Sequence, residues 1–242
     1  ILLADHFQPI LLPIALSYWL LESPKTLLLL QTVALALGTL PVYWLARDGL
    51  KAAFGAGPQG GQTNPSPASM ASRWLALAFA AAYLLYLPLH SANIDEFHPS
   101  ALAAPLLLFA LYFMRNRRVV PFLACAMLAM ATKEIIALTT LFLGLYVILF
   151  RQERRLGLAL VVVSALWFVL SVLVIIPHFN EQGQSPYLTP AAVGNTAGSF
   201  TSFYNSWGSS PGEVILRLFT RPDLVWQRLS DPTSLNYLNA LL

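Results

Sequence analysis

The run from Leu156 to Ile176, rich in Leu, Val and Ile and bounded by Arg155 and Pro177, most restricts what this chain can fold into. A bilayer core about 30 Å thick is crossed by about 20 apolar helical residues. Thr26 to Ala46 repeats the pattern, as do Trp74 to about Leu89 and, with its flanks, Ala101 to Met114. Backbone polar groups in lipid must be paired within their own segment, so these runs are expected to be helices. Trp19, Trp44, Trp74, Tyr83 and Tyr86 stand mostly near span ends, as an interfacial aromatic belt would. His90 and His178 are placed at the interface in the same way. The expected fold class is an all-α, polytopic transmembrane helix bundle forming one membrane domain over residues 1–242.

Charge supports this and excludes other classes. Only 10% of the residues are charged and 57% are hydrophobic, whereas soluble domains carry about 25% charged residues. Such a chain lacks the polar surface to enclose a core in water. The formal net charge is +3, and most Arg and Lys residues stand at the ends of apolar runs. No basic face forms, and no nucleic-acid partner is expected. The single cysteine, Cys125, lies within an apolar run, where it acts as a small apolar residue. The chain begins at Ile1, in mid-pattern, and ends on Leu241 and Leu242. This predicts a fragment, with an N-terminal span and later spans lying outside it.

Two stretches fit a single span poorly. Phe7 to Leu21 is short and carries Pro9 and Pro13, so full crossing and interfacial placement both stay open. Val119 to Phe150 would be about 48 Å as one helix, and Lys133 and Glu134 interrupt it near the middle. Two short helices with these residues at the turn are predicted.

The excess of basic residues in cytoplasmic loops sets orientation. Arg115, Arg117 and Arg118 form one basic cluster, and Arg151, Arg154 and Arg155 another; Arg47, Lys51 and Arg73 flank a Gly/Pro/Ser-rich stretch. All three regions are assigned to the cytoplasm. Gly55 to Ser72 then reads as a flexible cytoplasmic linker. The loop Asn93 to Pro99 faces outward, and residues 177–242 form an extracytoplasmic segment. That segment is expected to carry an amphipathic helix from about Pro211 to Leu229, with Val214, Leu218, Val225 and Leu229 on its apolar side.

Three polar clusters break the apolar chain: Asp5-His6-Phe7-Gln8-Pro9, Asp95-Glu96-Phe97-His98-Pro99 and Thr132-Lys133-Glu134. Charge inside a bilayer is costly and normally faces a cavity, a partner or the interface. Lys133 and Glu134 are read either as a pair snorkelling at a hairpin turn or as a lysine aimed at an anionic group and oriented by Glu134. Asp95, Glu96 and His98 offer two carboxylates and an imidazole within four residues. They suit a divalent cation or a general base, or simply an acidic loop at a helix start. Asp5 and His6 admit the same choice, the alternative being an Asp cap with an interfacial His. No Gly-rich phosphate loop, serine nucleophile motif or zinc-protease helix is present.

The order of motifs carries a resemblance. His6-Phe-Gln-Pro9 precedes an apolar helix and Ser23-Pro24, and the following span ends in Leu40-Pro-Val-Tyr-Trp-Leu-Ala-Arg47. Glu96-Phe-His-Pro-Ser100, Lys133-Glu134, Val174-Ile-Ile-Pro177 and the Gly208 to Pro222 segment follow. Together these resemble the bacterial membrane protein family catalogued as domain of unknown function 2079, from about His6 to the chain end. That family in turn resembles the GT-C glycosyltransferases, multi-span enzymes that take a sugar from a polyprenyl-phosphate donor on the outer face.

The resemblance implies a GT-C-like bundle in the bacterial cytoplasmic (inner) membrane. Its partners would be the lipid bilayer and a polyprenyl-phosphate-linked sugar, with a divalent cation as the possible cofactor. It implies Asp5 and Asp95 as candidate bases and Lys133, beside Glu134, as the contact to phosphate. His6, Glu96 and His98 become acceptor contacts or metal ligands. In GT-C enzymes the first span and first outer loop, with its acidic residue, come earlier than anything mostly present here, so a main base there would fall outside this chain. The alternatives are a transporter or channel lined by the intramembrane charges, against which no inverted repeat is visible, and a non-catalytic scaffold.

Overall fold

The computed structural model describes residues 2–19, 22–54, 67–94, 96–180, 207–208 and 211–232. All regular structure among them is helical. The chain divides into two units, His6–Ser171 and a smaller one of Ile1–Asp5 with Val172–Leu242. The chain opens in the smaller unit with the short α1 (Leu2–Asp5).

The larger unit begins with α2 (Leu11–Ala15), prolonged by a 3-10 turn over Leu16–Trp19. This is far short of the length needed to cross a bilayer, so Phe7 to Leu21 is not a helical span across its described residues. Pro9 and Pro13 account for the brevity, since neither supplies a backbone donor. Next, α3 (Pro24–Leu37) and α4 (Thr39–Ala53) run on through Gly38. Ser23 caps α3, its hydroxyl accepting the Lys25 N–H at 3.3 Å, and Pro24 occupies the first turn, where a missing donor costs nothing. Gly38 is required by contact, because a Cβ there would meet the Tyr83 hydroxyl. That hydroxyl instead donates to Leu35 O at 3.1 Å, joining α3 to α5 (Pro67–Leu85).

α5 corrects one boundary. Residues Pro67 to Ser72, assigned from sequence to the linker, are helical, with Pro67 opening the helix and Ser72 fully buried. The earlier part of that linker, 55–66, lies outside the described residues. The helix also stops at Leu85, and α6 (Leu87–Ile94) is a separate element.

The bundle continues with a 3-10 turn (Pro99–Leu102) and α7 (Ala103–Arg115), α8 (Val119–Met130), α9 (Ile136–Tyr146) and α10 (Arg154–Leu170). A π-helical turn over Val147–Arg151 extends α9. Val119 to Phe150 is therefore two helices, as its length and its central charges predict. Two tight turns set the antiparallel order of α7 with α8 and of α9 with α10. In the first, Arg117 takes a left-handed φ of 55°. Its N–H reaches Met114 O at 3.1 Å, and the Arg118 N–H reaches Phe113 O at 2.9 Å, the closing pattern in which glycine is the usual residue. Gln152, at φ 56°, plays the same part after α9.

Ala110, Phe122, Ala126, Val147 and Leu160 form the buried core of α7–α10. Phe122 at the start of α8 meets Val147 at the end of α9, so both ends lie together. Arg151 Nη2 donates to Met114 O at 3.4 Å and Arg115 O at 3.3 Å, placing the two arginine clusters at that same end. The turn carrying Lys133 and Glu134 is at the other.

Helices in lipid gain little from hydrophobic burial against each other and associate through close packing of small residues. α9 and α10 approach at Gly144 and Gly157. A Cβ on Gly157 would lie 2.7 Å from Gly144 O and 2.9 Å from Ile148 N. Thr140 and Ser164 bridge the same helices through hydroxyls 2.9 Å apart. Gly157→Ala must push backbone apart and is expected to destabilise the chain by about 1–3 kcal/mol. Reversible unfolding in micelles checks this, and an unchanged midpoint would refute the close crossing.

Among the described residues three helical stretches are long and apolar enough to cross a membrane: Pro24–Ala53, Pro67–Leu85 and Arg154–Phe179. Pro99–Arg115, Val119–Met130 and Ile136–Arg151 are apolar but shorter. The first long stretch exceeds the Thr26–Ala46 expectation by continuing through Arg47 and Lys51.

In the smaller unit, α11 (Ile176–Phe179) packs on α1, and Asn180 Nδ2 donates to Ala4 O at 3.4 Å. Two helices follow, α12 (Pro211–Thr220) and α13 (Pro222–Leu229). The single amphipathic helix expected from Pro211 to Leu229 is thus broken at Arg221. A residue before proline is driven out of the helical region, and Arg221 has φ −129° and ψ 66°. Its guanidinium holds Asp223, with Nη2 2.8 Å from Oδ2, and that hydrogen bond keeps the carboxyl below the usual Asp range.

Candidate functional site

The site is built where α8 gives way to α9. The helix stops at Met130, and the Thr132 hydroxyl turns back to Ala129 O at 2.7 Å. Residues Ala131 to Ile135 form a turn in which Thr132 and Glu134 are fully buried and Lys133 is half-buried.

A buried carboxylate is tolerated only with its charge answered by donors. Glu134 finds them in the N-terminal segment, more than a hundred residues away. Its Oε2 accepts the Phe7 N–H at 2.9 Å, and its Oε1 lies 2.9 Å from His6 Nδ1. The Ile10 N–H adds a third tie, to Ala131 O at 3.0 Å, and the Phe7 ring packs on Trp167 with centroids 5.6 Å apart. Prolines keep residues 6–10 out of a helix, leaving these backbone donors free to point at the turn.

This corrects one expectation. Glu134 does not orient Lys133; it orients His6. The His6 side chain is 40% exposed against 0% for Glu134, so one imidazole edge is fixed by the carboxylate while the ring stays reachable. The Lys133 carbonyl accepts the Ile136 N–H at 3.0 Å, while its ammonium makes no ion pair or hydrogen bond among the described residues.

The second cluster arrives through a residue that sequence reasoning missed. Gln31 sits fully buried in the Leu-rich α3. Its Nε2 donates to Ala92 O at 2.9 Å and Glu96 O at 3.3 Å, and its Oε1 accepts the His98 N–H at 2.8 Å. One amide side chain therefore fixes the shape of the loop before α7. The available signal was a lone amide inside an apolar run, where an unpaired polar group is expensive. His98 and Glu96 face outward as an exposed pair, Nε2 to Oε1 3.3 Å.

The loop and the turn share one apolar floor. Ile10, Ile14 and Leu102 are its buried members, with Phe97, Leu106 and Ala131 packed against them. Phe97 brings the Glu96–His98 loop, Ala131 the Lys133–Glu134 turn and Ile10 the His6 segment. Of the residues singled out from sequence, His6, Glu96, His98, Lys133 and Glu134 thus gather at the end of the bundle opposite the arginines. Asp5, exposed at the end of α1, belongs to the smaller unit, and Asp95 lies outside the described residues. The indole N–H of Trp167, beneath Phe7, is buried with no hydrogen-bond partner among the described residues; no sequence signal pointed to it.

Among the described residues no three His, Cys, Asp or Glu side chains are grouped to hold a metal ion. His6 is committed to Glu134 at one nitrogen, and Glu96 and His98 pair with each other.

No curated protein matches the chain, and no solved structure does. Its apolar helices agree with what the matching family is described as. The family model for predicted membrane protein DUF2079 covers residues 1–242, and the chain belongs to that family of integral membrane proteins.

Proposed function

We propose that this membrane protein transfers a sugar from a polyprenyl-phosphate donor to an acceptor hydroxyl, in a site on the outer face of the bacterial cytoplasmic membrane. One observation carries the reading: a lysine whose ammonium has no partner among the described residues stands next in sequence to a buried glutamate that holds an accessible histidine. This supplies a cation for a leaving phosphate and a positioned base together. The positive-inside distribution of arginines at the far end of the bundle supports the outward orientation.

In the proposed step the acceptor hydroxyl gives its proton to Nε2 of His6, the ring nitrogen other than the one at Glu134, and its oxygen bonds to the sugar anomeric carbon from the face opposite the leaving group. The carbon–oxygen bond to phosphate breaks, its electron pair stays on the polyprenyl phosphate, and Lys133 meets the growing negative charge. Glu134 holds the imidazole in orientation, the part a buried carboxylate plays beside a catalytic histidine. Glu96 and His98 supply acceptor contacts. Asp5 and Asp95 remain the other candidate bases.

The test is made on the full protein in vesicles. Single cysteines replace Glu96, Lys133 or Asp5 in a Cys125→Ala background, and a membrane-impermeant thiol reagent is added outside. Labelling of Glu96→Cys and Lys133→Cys from outside, with sugar transfer from polyprenyl-phosphate donors by the unmodified protein, is the expected result. Labelling of those two positions from opposite sides would end the single-site mechanism and favour transport or a structural role.

A further inference from the structure

Between α7 and α9 runs a groove of about 400 Å³, lined by Leu107, Leu111, Met114, Thr139, Leu143 and Tyr146. It lies outside the site described above, and its walls are apolar along nearly their whole length. Two of its lining residues, Leu143 and Met114, also pack on the core of the four helices.

One mouth of the groove is marked by charge. Met114 lines it, and the Met114 and Arg115 carbonyls both receive Arg151 Nη2. Arg115, Arg117, Arg118, Arg154 and Arg155 stand at this end, all exposed. None of these arginines makes an ion pair among the described residues. The nearest acidic residue in sequence, Glu153, makes none either. Arg117 also occupies a left-handed position that glycine would fill without strain. An apolar slot in a membrane helix bundle, ending under a set of uncompensated guanidiniums, fits one kind of occupant.

We infer that this groove holds one acyl chain of an anionic phospholipid, with the lipid phosphate against Arg115, Arg118 and Arg151. The guanidinium is suited to this because it offers several donors in a plane to phosphate oxygens. Arg151 has part of its donor set committed to the α7 carbonyls and thereby ties the mouth together. Arg115 and Arg118, whose side chains are exposed, make the main phosphate contacts. The groove is open along its side to the surrounding lipid, so the chain enters laterally.

The experiment uses the full protein in detergent micelles, titrated with phosphatidylglycerol or phosphatidylcholine and read by native mass spectrometry. The unmodified protein is expected to retain phosphatidylglycerol in preference to phosphatidylcholine. Each basic residue at a membrane surface contributes about a five-fold attraction for anionic lipid, so Arg115→Gln with Arg118→Gln is expected to weaken phosphatidylglycerol retention roughly thirty-fold and to leave phosphatidylcholine unchanged. Leu111→Trp fills the groove without touching charge and is expected to reduce retention as well. Thr139→Trp at the opposite end serves where Leu111→Trp lowers the unfolding temperature. Equal retention of the two lipids by the unmodified protein would overturn the inference. So would undiminished phosphatidylglycerol binding with the groove filled, because the arginines would then be holding boundary lipid on charge alone.

Discussion

Glu134→Ala is expected to release the His6–Pro9 segment from the bundle and to lower stability by about 2–4 kcal/mol. The carboxylate is fully buried and its two oxygens meet His6 Nδ1 and the Phe7 N–H. Alanine leaves the Phe7 donor with no acceptor in a part-buried position, a loss of about 1–3 kcal/mol for one unsatisfied group. His6 loses its partner too, although its exposed edge regains water. The Ile10 N–H bond to Ala131 O, the Phe7–Trp167 contact and the burial of Ile10 in the apolar floor then remain to hold the segment. Hydrogen exchange should show the Phe7 and Ile10 amides deprotected while α8 and α9 keep their protection. Glu134→Gln retains a carbonyl acceptor and should fall between. Unchanged protection at Phe7 in the alanine variant would mean that the segment is held by apolar packing alone.

Lys133→Ala is expected to act in the opposite sense, with activity lost and the fold kept. The Lys133 ammonium has no ion-pair or hydrogen-bond partner among the described residues, so its removal orphans nothing. Stability should stay within about 0.5 kcal/mol of the parent, the usual range for a substitution away from packed or paired groups. Sugar transfer should fall by about 10²–10³-fold, the typical loss when one preorganised group facing transition-state charge is removed. The loss should appear in kcat, because the charge on the leaving phosphate grows during the step. Unfolding curves and single-turnover transfer on one preparation separate the two effects. Failed insertion or folding with no measurable role in turnover would assign Lys133 to a scaffold.

These two neighbours show where sequence reasoning stopped. Lys133 and Glu134 were both selected because charge within an apolar run demands a reason. Which partner each takes was not available from spacing, since Glu134 bonds to residues at the other end of the chain. Gln31 was passed over because an amide is a weaker anomaly than a charge, yet it shapes the loop that presents Glu96 and His98. The amphipathic stretch after Pro211 was legible as a pattern, while its break at Arg221 followed from Pro222 and was underweighted. The linker boundary failed for a related reason: a Pro/Ser-rich end reads as loop, but proline is also a good first residue of a helix.

By itself the sequence determined the membrane character, the all-helical class and the division of Val119 to Phe150 into two helices. These are consequences of local chemistry: lipid leaves the backbone no partner except itself, and paired charges cannot stay in mid-span. Only the tertiary structure decided that His6, rather than Lys133, is what Glu134 holds. It alone brought the Glu96–His98 loop and the Lys133 turn onto one apolar floor, and opened a groove between α7 and α9 beneath the arginines. Each of these depends on which helix faces meet, and that is fixed by close contacts such as Gly144 against Gly157, set by side-chain volume at positions that local periodicity does not distinguish.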